Sequence, residues 1–222
     1  LYLKQQKKHD LLAIAFIDSN KWVKNIYNEP YVNYYHSHPA FANYPVVNIT
    51  YEGALLYCKW LEDKLNTAPN ISQKFEVSLP TRSEWIRAAS ANRIYAVYAW
   101  EGYFLKSKKG EYNCNFLPYG AENLHFNPAT KQYEVKIPYI EMPISSVYFD
   151  YTNLTTHTKA YKPNTYGLYN MNGNVAEMVL EKTMAVGGSY LNTGFDVRNE
   201  SIHFYSEASP NIGFRPIIKL KQ

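Results

Sequence analysis

One short stretch of this chain, Leu79-Pro80-Thr81-Arg82-Ser83-Glu84-Trp85, leaves little freedom in what can follow it. Thr81 and Glu84 have the spacing of a capping box. The threonine hydroxyl accepts from the backbone N–H three residues on, and the glutamate carboxylate reaches back to the threonine N–H. That pattern predicts a helix from Thr81 to about Ala89. A second helix is predicted upstream, with Thr50 as its N-cap. Ala54, Cys58, Leu61 and Leu65 fall at i, i+4, i+7 and i+11, one apolar stripe that a helix through Leu65 would turn toward a core. Cys58 on that stripe reads as buried filler rather than as a reactive thiol.

Outside these two helices regular periodicity fails. Asn25 to Tyr44 is dominated by Tyr, Asn, His and Pro with no sustained period of 2 or 3.6, which predicts an ordered but irregular segment. Val46, Val47 and Ile49 after Pro45 read as a short strand. Leu1 to Ile17 reads as a helix, or a helix plus a strand. Tyr98 to Ile144, rich in Gly, Asn, Pro and Lys, predicts loops with one hairpin. Phe214, Pro216, Ile217, Ile218 and Leu220 form a closing strand. The 22 tyrosines and 16% aromatic content suit loop-heavy, wet surfaces. Nothing in 222 residues forces a split, so a single domain over 1–222 is expected.

The net charge of +4 is dispersed, and the only dense basic runs, Lys4 to Lys8 and Lys106 to Lys109, are short. No nucleic-acid partner is expected. No apolar stretch approaches the roughly 20 residues needed to span a bilayer. Without an initiator Met or a signal peptide, the sequence reads as a portion of a longer product, with room for a lipid anchor upstream of Leu1. Cys58 and Cys114 permit one disulfide but do not make a framework, and their pairing stays open.

Four separated blocks, in order, resemble one family. They are Tyr44-Pro45-Val46 through Tyr57-Cys58-Lys59-Trp60-Leu61, Leu79-Pro80-Thr81 through Trp85, Asn164 through Glu177 (with Tyr166-Gly167-Leu168-Tyr169 and Gly173-Asn174-Val175), and Gly187-Gly188-Ser189-Tyr190 through Gly213-Phe214-Arg215. Together they span residues 44–215 and are similar to the formylglycine-generating enzymes, or sulfatase-modifying factors. The resemblance implies an α+β fold, a C-type lectin-like variant with short antiparallel strands, two main helices and long ordered loops. The run Asn28-Glu29-Pro30-Tyr31 to His38-Pro39-Ala40 further resembles a branch found among lipoproteins of gliding bacteria.

Enzymes of the family bind copper through two cysteines just after the Gly-Gly-Ser-Tyr segment. The matching positions here are Asn192 and Val197, and neither supplies the soft thiolate that Cu(I) requires. The resemblance therefore implies a pseudoenzyme with no catalytic residues and no copper. It also implies structural Ca2+ at two sites. The first takes the Asn170 amide, the Gly173 and Val175 carbonyls and the Glu177 carboxylate. If the chain is extended there, the last three face one side at period 2. Otherwise Asn170 and Glu177 simply bond loop backbone. The second, with less regular spacing, takes the Asn115 side chain, the Phe116 carbonyl, Asp150 and the Thr152 carbonyl. One formal negative charge per cage implies modest affinity, suited to calcium-rich surroundings outside the cytoplasm. Arg198 and Arg215, at family arginine positions, are expected to tie loops to interior carboxylates or carbonyls.

The leading expectation is thus a non-catalytic, calcium-stabilised scaffold or binding domain exported to the bacterial outer membrane. Its partners would be other outer-membrane or periplasmic proteins, with a link to gliding motility or secretion. A second expectation is an altered oxidoreductase that uses His36, His38 or His203 with iron or copper. A third, by analogy of fold alone, is a carbohydrate-binding module. Asn48, Asn70, Asn153 and Asn199 open N-x-S/T sequons that would matter only in a eukaryotic secretory product.

Overall fold

The computed structural model describes residues 11–24, 29–69, 71–118, 124–135 and 154–221. Both predicted helices form where the caps place them. Helix α1 is a single short turn pair, Glu29–Tyr34. Helix α2 spans Tyr51–Asn66, with the Thr50 hydroxyl accepting from Gly53 N. Helix α3 spans Arg82–Ser90, with both halves of the Thr81/Glu84 capping box made.

The strands are short. They are β1 (Phe75–Ser78), β2 (Leu124–Asn127), β3 (Gln132–Val135), β4 (Ala176–Met178), β5 (Met184–Val186), β6 (Ile202–Phe204), β7 (Ile212–Phe214) and β8 (Ile217–Leu220). β2 and β3 are the expected hairpin. A four-stranded sheet runs β6-β5-β4-β7, and β8 pairs with β1 in a separate ribbon. Among the described residues every strand pairing is antiparallel except β4 with β7. The predicted closing strand is therefore two strands, β7 and β8, separated by Arg215-Pro216. Proline has no N–H to continue a ladder.

Ala54 and Cys58 of α2 are buried, and Leu61 and Leu65 pack beside them. This stripe lies against Val77 and Leu79 and against Ala176, Met178, Ala185 and Ile212 of the sheet. A second cluster holds Trp85 and Ala89 of α3 against Met171, Val179 and Val186. Two smaller clusters lie under the loops, one around Trp22, Tyr35, Val47 and Val175. The other surrounds Tyr98, Cys114, Phe116 and Val197.

Three sequence expectations are corrected. Val46 to Ile49 is not a strand, because Asn48 adopts φ 58 and gives its N–H to Ser209 O rather than to a ladder. Asn25 to Tyr44 is not wholly irregular, since it contains α1 and a 3-10 turn at Pro39–Phe41 capped by His38. Tilted and edge-on ring contacts among Trp22, Tyr31, Tyr35 and Phe41 hold that region together where periodicity gave no signal. Residues 11–17 form a turn and then irregular chain rather than a regular helix or strand. The remainder of the Leu1 to Ile17 expectation lies outside the described residues.

Candidate functional site

Glu177 is the polar centre of the domain. It sits on β4, 5% exposed, between two apolar clusters. A carboxylate buried there needs donors, and two elements supply them. Trp85 of α3 donates Nε1–H to Oε2 at 2.7 Å. Arg215, just after β7, donates Nη2–H to Oε1 at 2.7 Å and shares Nε–H between the two oxygens at 3.1 and 3.0 Å. A second Nη2 contact reaches Tyr169 O at 2.9 Å. The Glu177 charge raises the Arg215 pKa further above its ordinary range. Arg215 thus plays the interior tying role that the sequence implied. Arg198 does so only locally, bonding Phe195 O and lying 3.4 Å over the Phe195 ring. Trp85 was missed as a Glu177 partner. The available signal was its position directly after the capping-box glutamate.

The segment carrying the first oxygen set is not extended, which corrects the period-2 expectation. Asn170, Gly173 and Asn174 all have positive φ (49°, 71° and 66°), and only Ala176–Met178 is strand. Turns gather the residues instead. Asn170, Val175 and Glu177 line one cavity of about 560 Å³, walled by Tyr44, Tyr57, Trp60 and Phe214. Gly173 is packed elsewhere: an added Cβ would overlap the Asn115 carbonyl oxygen. The Asn170 amide donates to His157 O at 3.1 Å, and its Oδ1 is buried with no partner among the described residues. A cation at Asn170 would share Glu177 with Arg215, which already neutralises it.

The second set presents a cleaner acceptor. Asn115 is 1% exposed. Its Nδ2 donates to Leu154 O at 2.8 Å, and its backbone O accepts from Asn174 N at 2.7 Å. Its Oδ1 is buried and has no partner among the described residues. An amide oxygen left so costs about 1–3 kcal/mol, and a neutral oxygen of this kind is what a hard cation accepts. Phe116, beside it, is also buried. Asp150 and Thr152 lie outside the described residues. Through the Asn174–Asn115 bond the two sets adjoin, a connection the sequence spacing did not reveal.

Asn192 and Val197, which the resemblance sets against the enzymes' cysteines, are both enclosed. Asn192 Oδ1 accepts from Ser189 N at 2.9 Å and from Ser189 Oγ at 2.6 Å. Val197 is fully buried against Tyr98, Cys114 and Phe116. Cys58 and Cys114 are both free and buried. Burial pushes the Cys58 thiol up to about 11 and the Cys114 thiol higher still. The three histidines make separate contacts. His36 packs on Tyr35, burial lowers its pKa, and its Nε2 is buried with no partner among the described residues. His38 Nδ1 accepts from Ala40 N, and His203 Nε2 contacts Asp196 O. Among the described residues no three His, Cys, Asp or Glu side chains gather as a metal cluster.

Short strands, two capped helices and long loops around a buried Glu–Arg–Trp centre define an α+β fold of the formylglycine-generating-enzyme type. The chain matches the Sulfatase-modifying factor enzyme 1-like domain over residues 15–220, and it belongs to that family. It is 27% identical over 135 residues to the formylglycine-generating enzyme of Thermomonospora curvata, covering 61% of this chain and 32% of that protein. The match thus spans about a third of that relative's length. Among solved structures it is similar to PvdO from Pseudomonas aeruginosa, with TM-score 0.50, 18% identity, and coverage of 81% of this chain and 63% of that one. It is also similar to Treponema denticola variable protein 1, with TM-score 0.52, 17% identity, and coverage of 81% and 73%. At these identities the structures speak for the fold alone. No helix among the described residues is long and apolar enough to cross a membrane.

Proposed function

We propose that this domain is a non-catalytic, calcium-stabilised binding or scaffolding domain of an exported bacterial envelope complex. In this reading it belongs to an outer-membrane lipoprotein tied to gliding motility or protein secretion. The observation that carries the reading is a set of exposed apolar side chains, chiefly on the loops that carry Tyr98, Leu105 and Val197. Ile94 and Tyr95 are 83% and 91% exposed, Phe104 79% and Phe204 77%, with Tyr103 and Phe195 also out. Arg93 anchors the first of these loops by bonding the carbonyls of Ser90, Tyr98 and Trp100. Asn199 and Tyr98 tie it to the second, through Val97 O, Ala96 O and Gly194 O. Water-facing apolar side chains held this firmly favour a protein partner, and rigid aromatic rings supply contact area at small entropic cost.

The calcium part of the reading is supported by the unpartnered Oδ1 atoms of Asn115 and Asn170. Asn115 and Phe116 would hold one ion, and Asn170 with Glu177 a second, weaker one. Calcium would supply charge to fix loops in place and no chemistry. The absence of sulfur at Asn192 and Val197 supports a role without copper. The test is affinity purification from native membranes with elemental analysis of the same sample, comparing the wild type with Tyr95→Ser/Phe104→Ser. A stable companion lost in the variant, with calcium as the bound metal, is the expected result. A lone protein, or stoichiometric iron or copper, would refute the reading.

A further inference from the structure

Away from the Glu177 cavity lies a second concavity, a groove of about 460 Å³ between the Ser107–Asn113 turn and the 160–163 segment. Its volume falls in the range of small-molecule clefts, roughly 300–1,000 Å³. The two concavities differ in chemistry. The Glu177 cavity is walled by branched aliphatic and aromatic side chains together. The groove contains no Val, Ile, Leu or Met, and its larger apolar surfaces are the rings of Trp100, Tyr112 and Tyr161. Between them stand Glu111, Asn113 and Lys162.

Two of the three rings have contacts that hold them in place. Trp100 stacks on Tyr98 with centroids 4.6 Å apart and planes 4° from parallel, and its Nε1 donates to Phe104 O at 2.9 Å. Tyr112 sits edge-on to Phe116 at 5.1 Å. The turn beneath is set by the Lys106–Tyr112 bridge and by Ser107 N bonding Glu111 O at 2.8 Å. Flat, immobile rings suit a ligand with flat C–H faces. A carboxylate accepts, an ammonium donates and an amide does both, which suits neighbouring hydroxyls that are each donor and acceptor. Glu111 and Lys162 have opposite charges, so the groove has no strong preference for an anion.

We propose that this groove is a binding site for a neutral saccharide, with Trp100 and Tyr161 contacting ring faces and Glu111, Asn113 and Lys162 bonding hydroxyls. The groove adjoins the exposed apolar side chains assigned to a protein partner, because Trp100 Nε1 and Asn113 Nδ2 both donate to Phe104 O. Glu111→Ala, which touches neither of those bonds, should therefore leave companion recovery from membranes intact.

The test is titration of the full chain with cellobiose, maltose and N,N′-diacetylchitobiose, followed by tryptophan emission and by amide NMR shifts. At least one disaccharide should give a saturable response centred on residues 100–113. Glu111→Ala should weaken it about tenfold, the size expected for one hydrogen bond to a charged group. Trp100→Ala removes a stacked ring and can unfold its loop, so Glu111→Ala and Asn113→Ala, with unchanged melting temperatures, carry the decision. No saturable response to any of the three sugars would overturn the proposal. So would binding that survives both substitutions, or binding confined to uronate or sulfated oligosaccharides.

Discussion

Two limbs of the C-terminal half touch one another yet are built in opposite ways. Residues 170–177 and 187–197 meet through Gly173 N to Gly187 O at 2.8 Å and Tyr190 N to Asn174 O at 3.0 Å. The first limb leaves the Asn170 amide oxygen buried without a donor among the described residues, as is the oxygen of its neighbour Asn115. The second ties Asn192 to Ser189 and seals Val197 under aromatic rings. Unused amide oxygens of this kind can accept a cation, whereas the second limb places carbon at Val197 and satisfies the Asn192 amide, leaving the Tyr190 hydroxyl as its buried oxygen without a partner among the described residues.

Substitution at Gly188 should break the closed limb most severely. Gly188 has φ 66°, and an added Cβ would lie 2.7 Å from Val197 Cγ1 and 2.8 Å from Asp196 O. Left-handed backbone with a side chain costs about 1–2 kcal/mol, and overpacking adds about 1–3. Urea unfolding of Gly188→Ala should show a loss near 4 kcal/mol, and an unchanged midpoint would mean the limb is loosely packed.

Arg215→Ala attacks the open limb and should cost about 3 kcal/mol. This is the low end for breaking a buried pair, since the Arg215 side chain is itself 32% exposed. A loss under about 1 kcal/mol, the median for a surface pair, would show that water reaches Glu177 and supports it there.

Calcium comes next. At about a hundred times its dissociation constant a ligand adds about 2.7 kcal/mol, so chelator should lower the melting temperature and added calcium restore it. Asn115→Ala should abolish most of that difference, while Asn192→Ala should leave it intact. The smallest effect concerns the thiols. Alkylation at pH 8 should leave Cys58 and Cys114 unmodified until the chain is unfolded, because burial holds both protonated. Rapid labelling of Cys114 would show that the closed limb opens.

What the sequence made legible was what local chemistry determines. The Thr50 and Thr81 caps, the Ala54–Leu65 stripe and the β2–β3 hairpin depend on neighbours a few residues apart, and each formed as read. The family blocks located Arg215 and Glu177 but not their mutual bond, because 38 positions separate them. The Asn48 strand and the extended 170–177 limb were misread for the same reason. Their left-handed backbone is imposed by partners such as Ser209 and Asn115, which no periodicity encodes. Asn172 was passed over, yet it joins Ala99 N, Val197 O and Asn199 Oδ1. Asn48 and Asn199 are wholly buried, so those two sequons could not carry a glycan in the folded protein. Asn70 and Asn153 lie outside the described residues.

The pairing of β1 with β8 sets the order in which a nascent chain can mature. Phe75 finds its partner only when Leu220 has been made, and Val77 and Leu79 share a cluster with Met178 and Ile212. Until then the apolar stripe of α2 lacks the sheet residues Ala176, Met178, Ala185 and Ile212 that complete its cluster. Contacts this distant in sequence also slow folding.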